Sequence, residues 1–216
     1  MVWDFKTQPC EVLYVSLEDT SQRIQRRLSE VTGGEADRVW IATEAELLGS
    51  GFEQQLANFL NSHPAVGFVI IDTLQRIRPV KAEKYSYAGD YEVMTTLKAI
   101  ADRFNITILV VHHTRKEESE DAFNMISGTN GLLGAADGAF LLMKENRNSY
   151  AAVLEVTGRD QQEQKLHLIR DEASLVWNLD RVETDLWKEP EDPLLRQVAA
   201  FLTSDEGDIL VVNGYA

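Results

Sequence analysis

Short apolar runs alternate with stretches whose apolar residues fall three and four apart through the first two thirds of the chain. That alternation predicts a mostly parallel β-sheet covered by helices. The runs Glu11 to Leu17, Arg38 to Ala42, Val66 to Ile71 and Ile106 to Val111 read as strands. Between them, Thr20 to Val31 reads as a helix that Asp19 or Thr20 caps and Gly33-Gly34 stops, and Gly51 to Ser62 as a helix ended by His63-Pro64. Tyr91 to Phe104 sets Val93, Met94, Leu97, Ile100, Ala101 and Phe104 at helical spacing, which predicts a helix with one buried face.

The pattern changes after Val111. Glu117 to Ala136 lacks periodicity and contains Gly128, Gly131 and Gly134, so it reads as a loop with a short helix around Gly131 to Ala136. Ala139 to Lys144, Ala151 to Thr157, Lys165 to Arg170 and Leu175 to Leu179 are short strands separated by polar turns, the signature of an antiparallel meander. The expected organisation is one α/β core over residues 1–187, then a proline-flanked acidic linker, a helix around Leu194 to Thr203 and an apolar tail.

Composition narrows the class. A length of 216 residues with 44% hydrophobic content supports one sizeable core. The N-terminus has neither the basic start nor the apolar stretch of a secretion signal, no run approaches the ~20 residues of a membrane span, and Cys10 is the only cysteine. These features fit a cytoplasmic protein without disulfides or a cysteine zinc cluster. A net charge of −14 argues against broad adhesion to nucleic acid but leaves room for local basic sites at Arg23 to Arg27, Arg76 to Lys84 and Arg115-Lys116.

Candidate chemistry sits at strand ends. Phe68-Val69-Ile70-Ile71 runs straight into Asp72-Thr73; this carboxylate either caps the following turn or holds a metal ion for a ligand. The first strand ends in Glu18-Asp19 and the last parallel strand in His112-His113-Thr114-Arg115-Lys116. In a parallel sheet these ends converge on one edge, where a carboxylate can orient water, an aspartate can support Mg²⁺ and a histidine or threonine can contact a phosphate.

Val12-Leu13-Tyr14-Val15-Ser16-Leu17-Glu18-Asp19, then Arg23 and Arg27-Leu28, then the aspartate strand and the His-His strand, resemble the RecA-like ATPase core of RepA-type hexameric helicases and primase-helicases. Gly128-Thr129-Asn130-Gly131 to Asp137 and Val156-Thr157-Gly158-Arg159-Asp160 are similar to later motifs of that group, so the resemblance covers roughly residues 11 to 180. It implies ATP and Mg²⁺ as cofactors, single-stranded DNA as partner and a homo-oligomer, a hexamer in the family. Residue by residue, it implies that Glu18 polarises the attacking water and that Asp72, with Thr73, supports Mg²⁺ through water. His113 or His112 would sense the γ-phosphate, and Arg27 would lie near the nucleotide edge. Arg159 would be either an arginine finger reaching a neighbouring subunit or a rim residue of its own site, while Asp137 lies where some relatives use the finger arginine. The Glu117 to Gly134 loop would face DNA with Arg115 and Lys116 at its base, although Glu117, Glu118, Glu120 and Asp121 make it acidic.

One family element is not in the sequence. No G-x-x-x-x-G-K-[ST] run occurs, nor any Gly-Lys pair. Such a loop cradles the phosphates with backbone N–H groups, a lysine and a hydroxyl. In the family it lies just before the strand that here starts at Glu11, so the first strand, the P-loop and the first helix are expected to be missing. Because that strand is central in the family, a gap in the sheet or an exposed edge is expected, closed by rearrangement, by the N-terminal segment or by another chain. A non-catalytic RecA-like module for assembly or DNA binding is the alternative. An unrelated hydrolase using Asp72 and His112 is a third reading, for which no G-x-S-x-G motif is present.

Overall fold

The computed structural model describes residues 2–3, 5–34, 36–79, 87–114, 123, 126, 131–144, 146 and 148–184. Strands β1 (Glu11–Ser16), β2 (Val39–Ala42), β3 (Val66–Asp72) and β4 (Thr107–Val111) form one parallel sheet in the order β2-β1-β3-β4. β3 is apolar along its length; Val69 and Ile71 on one face are fully buried, and Phe68 and Ile70 on the other are half-buried. Gly67 sits where β3 meets the start of β1; a Cβ there would lie 2.9 Å from the Cys10 Cβ.

Helices α1 (Ser21–Thr32), α2 (Phe52–Ser62), α3 (Leu74–Ile77) and α4 (Tyr87–Phe104) cover this sheet. Thr20, not Asp19, caps α1, accepting the Arg23 amide at 3.4 Å, and Gly33 ends it at φ 71° with its N–H on the Ser29 carbonyl. α2 buries Phe52, Leu56, Ala57 and Leu60, and α4 buries Val93, Leu97 and Ile100, the helical spacing read from the sequence. α4 begins four residues earlier than expected. Its first turn carries Asp90, a fully buried carboxylate in contact with the Arg78 guanidinium just after α3.

Helix α5 (Gly131–Ala135) packs on α4 and leads into the antiparallel sheet β5 (Gly138–Met143), β6 (Ala151–Gly158), β7 (Gln161–Arg170) and β8 (Trp177–Thr184), in sequential order. The expected meander is present, with two boundary shifts. β7 begins at Gln161, because the tight Arg159-Asp160 turn pairs Gln161 with Gly158, and the pairing with β6 continues at Gln164↔Val156 past an irregularity between Val156 and Gly158. β8 begins at Trp177, because Asp171 accepts the Ala173 and Ser174 amides and holds Leu175 and Val176 out of the strand.

The two sheets are separate among the described residues, β4 closing one and β5 the other. Among the described residues, the strand that pairs with β4 is β3. The N-terminal segment does not pair with it. Instead Trp3 lies on the apolar face of the second sheet with Leu154, Val156, Leu166 and Leu168, its indole N–H donating to the Trp177 carbonyl at 2.7 Å. The domain boundary expected at 187/188, the helix at 194–203 and the tail lie outside the described residues.

Candidate functional site

Strand register builds the site. Ser16 on β1 pairs with Asp72 on β3, and Asp72 pairs with Val111 on β4. The residues that follow, Leu17-Glu18, Thr73 and His112-His113, must therefore emerge side by side at the carboxyl edge of the sheet. They do: the Thr73 hydroxyl donates to Glu18 Oε1 at 3.1 Å, and His113 Nε2 lies 4.0 Å from Glu18 Oε2. Thr73 is fully buried, whereas the Glu18 and His113 side chains are 47% and 69% exposed. Glu18 is thus anchored through Oε1 while Oε2 faces His113, and His112 stands half-buried beside His113.

Asp72 is held from β1. Its Oδ2 accepts the Tyr14 hydroxyl at 2.8 Å, so the carboxylate engages a neighbouring strand rather than the amides of the following turn. Burial, and then the bond to Asp72, raise the Tyr14 pKa above its usual 10.0, which keeps the phenol a donor at neutral pH. Sequence reasoning missed Tyr14. The signal was available: residues two apart on a strand share a face, so Tyr14 and Ser16 lie on the same side as their partners Ile70 and Asp72.

Two further contacts brace this edge. Arg76 on α3 donates to the Leu17 carbonyl at 3.2 Å, tying α3 to the segment that carries Glu18. Asp19 draws in α1, pairing with Arg27 at 2.5 Å and Arg23 at 3.0 Å. Arg27 is thereby engaged by its own chain through Asp19, next to Glu18.

Arg159 is placed differently. It lies in the β6–β7 turn, donates to the Gly134 carbonyl at 3.0 Å and sits 3.7 Å from Asp137, with no bond to Glu18, Asp72 or His113. Asp137 also contacts Lys98 of α4; Lys98 first, then Arg159, hold its carboxyl below the usual range. Arg115, Lys116 and most of the 117–134 loop lie outside the described residues. Of that loop, Phe123, Ile126 and residues 131–134 are described, and Ile126 bridges to Thr114.

No cluster of three or more His, Cys, Asp or Glu able to enclose a metal occurs among the described residues. A single carboxylate with one oxygen left over after the Tyr14 bond nevertheless suits Mg²⁺, which keeps most of its waters and takes one or two protein carboxylates.

The profile of the AAA domain family matches residues 1–119, more than half of the chain. The chain belongs to the AAA domain family. Among solved structures, this AAA domain chain is similar to one described as an ATPase domain, with TM-score 0.65 and 14% identity over 78% of this chain and 74% of that one. It is similar also to a DnaB-like replicative helicase described with its interactions with primase, with TM-score 0.65 and 14% identity over 78% of this chain and 51% of that one. The RadB recombinase matches with TM-score 0.52 and 16% identity over 76% and 77%. The chain spans about half the length of the DnaB-like helicase. The expected RecA-like α/β fold is thereby borne out. No curated protein matches the sequence. No helix among the described residues is long and apolar enough to cross a membrane.

Proposed function

We propose that this chain provides the water-activating and metal-supporting edge of an ATP-dependent DNA motor of the helicase or recombinase type, acting in replication or repair. The observation that carries this reading is the row formed at one sheet edge by Tyr14, Asp72, Thr73, Glu18 and His113. Glu18 is the general base that would orient water toward a γ-phosphate, with Thr73 fixing one oxygen while the other faces His113. His113, and His112 behind it, would report phosphate occupancy. Asp72 would hold Mg²⁺ through water, and the bound ion would neutralise charge on the β- and γ-phosphates. Single-stranded DNA is the proposed partner, met by Arg115 and Lys116. A homo-oligomer, hexameric as in the resembled helicases, and a cytoplasmic setting complete the proposal.

The sequence contains no phosphate-cradling G-x-x-x-x-G-K-[ST] loop, and this polypeptide by itself is proposed to bind Mg·ATP poorly and hydrolyse it negligibly. Titration calorimetry with Mg·ATP tests this; micromolar binding would overturn it. A non-catalytic module for assembly or DNA binding is the second reading, favoured by that same missing loop. The gene upstream of Met1 separates the two: a coding strand followed by a P-loop supports the motor, and a stop codon supports the module.

A further inference from the structure

Both carboxylates that the candidate edge brings together have one oxygen taken by a hydroxyl. Glu18 accepts the Thr73 hydroxyl on Oε1, and Asp72 accepts the Tyr14 hydroxyl on Oδ2. The second bond is set by strand register. Tyr14 and Ser16 share a face of β1, and Ser16 stands directly opposite Asp72, so the Tyr14 ring reaches Asp72 diagonally from its own position opposite Ile70. Ser16 is fully buried, and its side chain hydrogen-bonds the same phenol. A phenol engaged by two partners has little freedom to turn away from Asp72.

That bond bears on which cation Asp72 can take. Mg²⁺ gives up its waters reluctantly and is served by a single carboxylate oxygen, directly or across a water. Ca²⁺ gathers more oxygens in a flexible shell and readily takes both oxygens of one carboxylate. The two ions therefore differ most in what they gain from the second oxygen, and Tyr14 occupies that oxygen. We propose that Tyr14 is a specificity-determining residue of the metal site, favouring Mg²⁺ over Ca²⁺ by leaving Asp72 one oxygen to offer. The inference rests on the reading of Asp72 as the metal-supporting carboxylate.

Nuclear magnetic resonance titrations of the full chain with MgCl2 and, separately, with CaCl2, followed at the Thr73 amide, test it on wild type, Tyr14→Phe and Asp72→Asn. Tyr14→Phe keeps the ring and removes only the hydroxyl. The expected result is a ratio of Ca²⁺ to Mg²⁺ affinity that rises about fivefold in Tyr14→Phe, the worth of one freed hydrogen bond, while Asp72→Asn removes the response to both ions. Were Tyr14 merely structural, its loss would weaken both ions together. An unchanged ratio in Tyr14→Phe, with both responses lost in Asp72→Asn, would overturn the inference and leave Asp72 as the metal-supporting residue. A Mg²⁺ response that survives Asp72→Asn, or no response to either ion in wild type, would overturn the reading of Asp72 and the inference with it.

Discussion

Replacing Asp90 with alanine should destabilise the protein more than any surface charge removal. Asp90 is fully buried in the first turn of α4, and the Arg78 guanidinium that contacts it is only 12% exposed. Deleting the carboxylate takes from the largely buried Arg78 cation the charge it meets on α4, and breaking one side of such a pair costs about 3–5 kcal/mol. In a chain of this size each kcal/mol lowers Tm by about 2–4 °C, so a fall of about 10 °C is expected. Urea unfolding followed by circular dichroism would show the midpoint fall with an unchanged slope. The double change Arg78→Met with Asp90→Leu should recover most of the loss, because a well-packed apolar pair removes both desolvation costs. The consequence reaches the candidate site: Arg78 directly follows α3, and Arg76 within α3 holds the Leu17 carbonyl next to Glu18. A midpoint within about 0.5 kcal/mol of wild type for Asp90→Ala, or a double variant worse than either single one, would refute this reasoning.

Three further outcomes are expected. Tyr14→Phe should cost about 1 kcal/mol by removing the hydroxyl that Asp72 accepts. The folded-state pKa of Tyr14 is raised, so its contribution is present below pH 10 and lost as pH rises through the folded value; the gap between wild type and variant, read from urea midpoints, should narrow on the alkaline side. Gly67→Ala should destabilise by about 1–3 kcal/mol through its clash with the Cys10 Cβ, and thermal melts should show Cys10→Gly relieving part of that loss. Asp137 has a lowered pKa, so its share of stability is present above pH 3.8 and lost as pH falls through the folded value; at 61% exposure screening keeps it under about 1 kcal/mol, and acid titration of Asp137→Asn should lack that step.

Much of the fold was legible because burial writes itself into apolar runs. β3 had to be interior, since nothing polar interrupts Phe68 to Ile71, and Asp72 at its end could be aligned with Glu18 and His113 once the strands were taken as parallel. What the pattern hid has local causes. α3 is a single turn, too short for periodicity, and its start at Leu74 follows Thr73, whose hydroxyl bonds Glu18 instead of capping the helix. The polar start of β7 is a strand only because the hairpin pairs it with β6, and the apolar Leu175-Val176 is a turn because Asp171 caps it. Tyr14 escaped notice because an aromatic on a half-buried strand reads as packing until the neighbouring register is known. Arg159 was not legible as a partner of Gly134 and Asp137, because that contact joins segments far apart in sequence.

The central claim is that Asp72, beside Glu18 and His113, is a metal-supporting carboxylate at a nucleotide edge whose phosphate cradle this sequence does not contain. Electron paramagnetic resonance of Mn²⁺ in a titration with Mn·ATP, run on the chain and on Asp72→Asn, tests it most directly. Weak binding is expected, half-saturating at about millimolar nucleotide, and weakened further by Asp72→Asn. Micromolar binding, or weak binding that Asp72→Asn leaves unchanged, would contradict it.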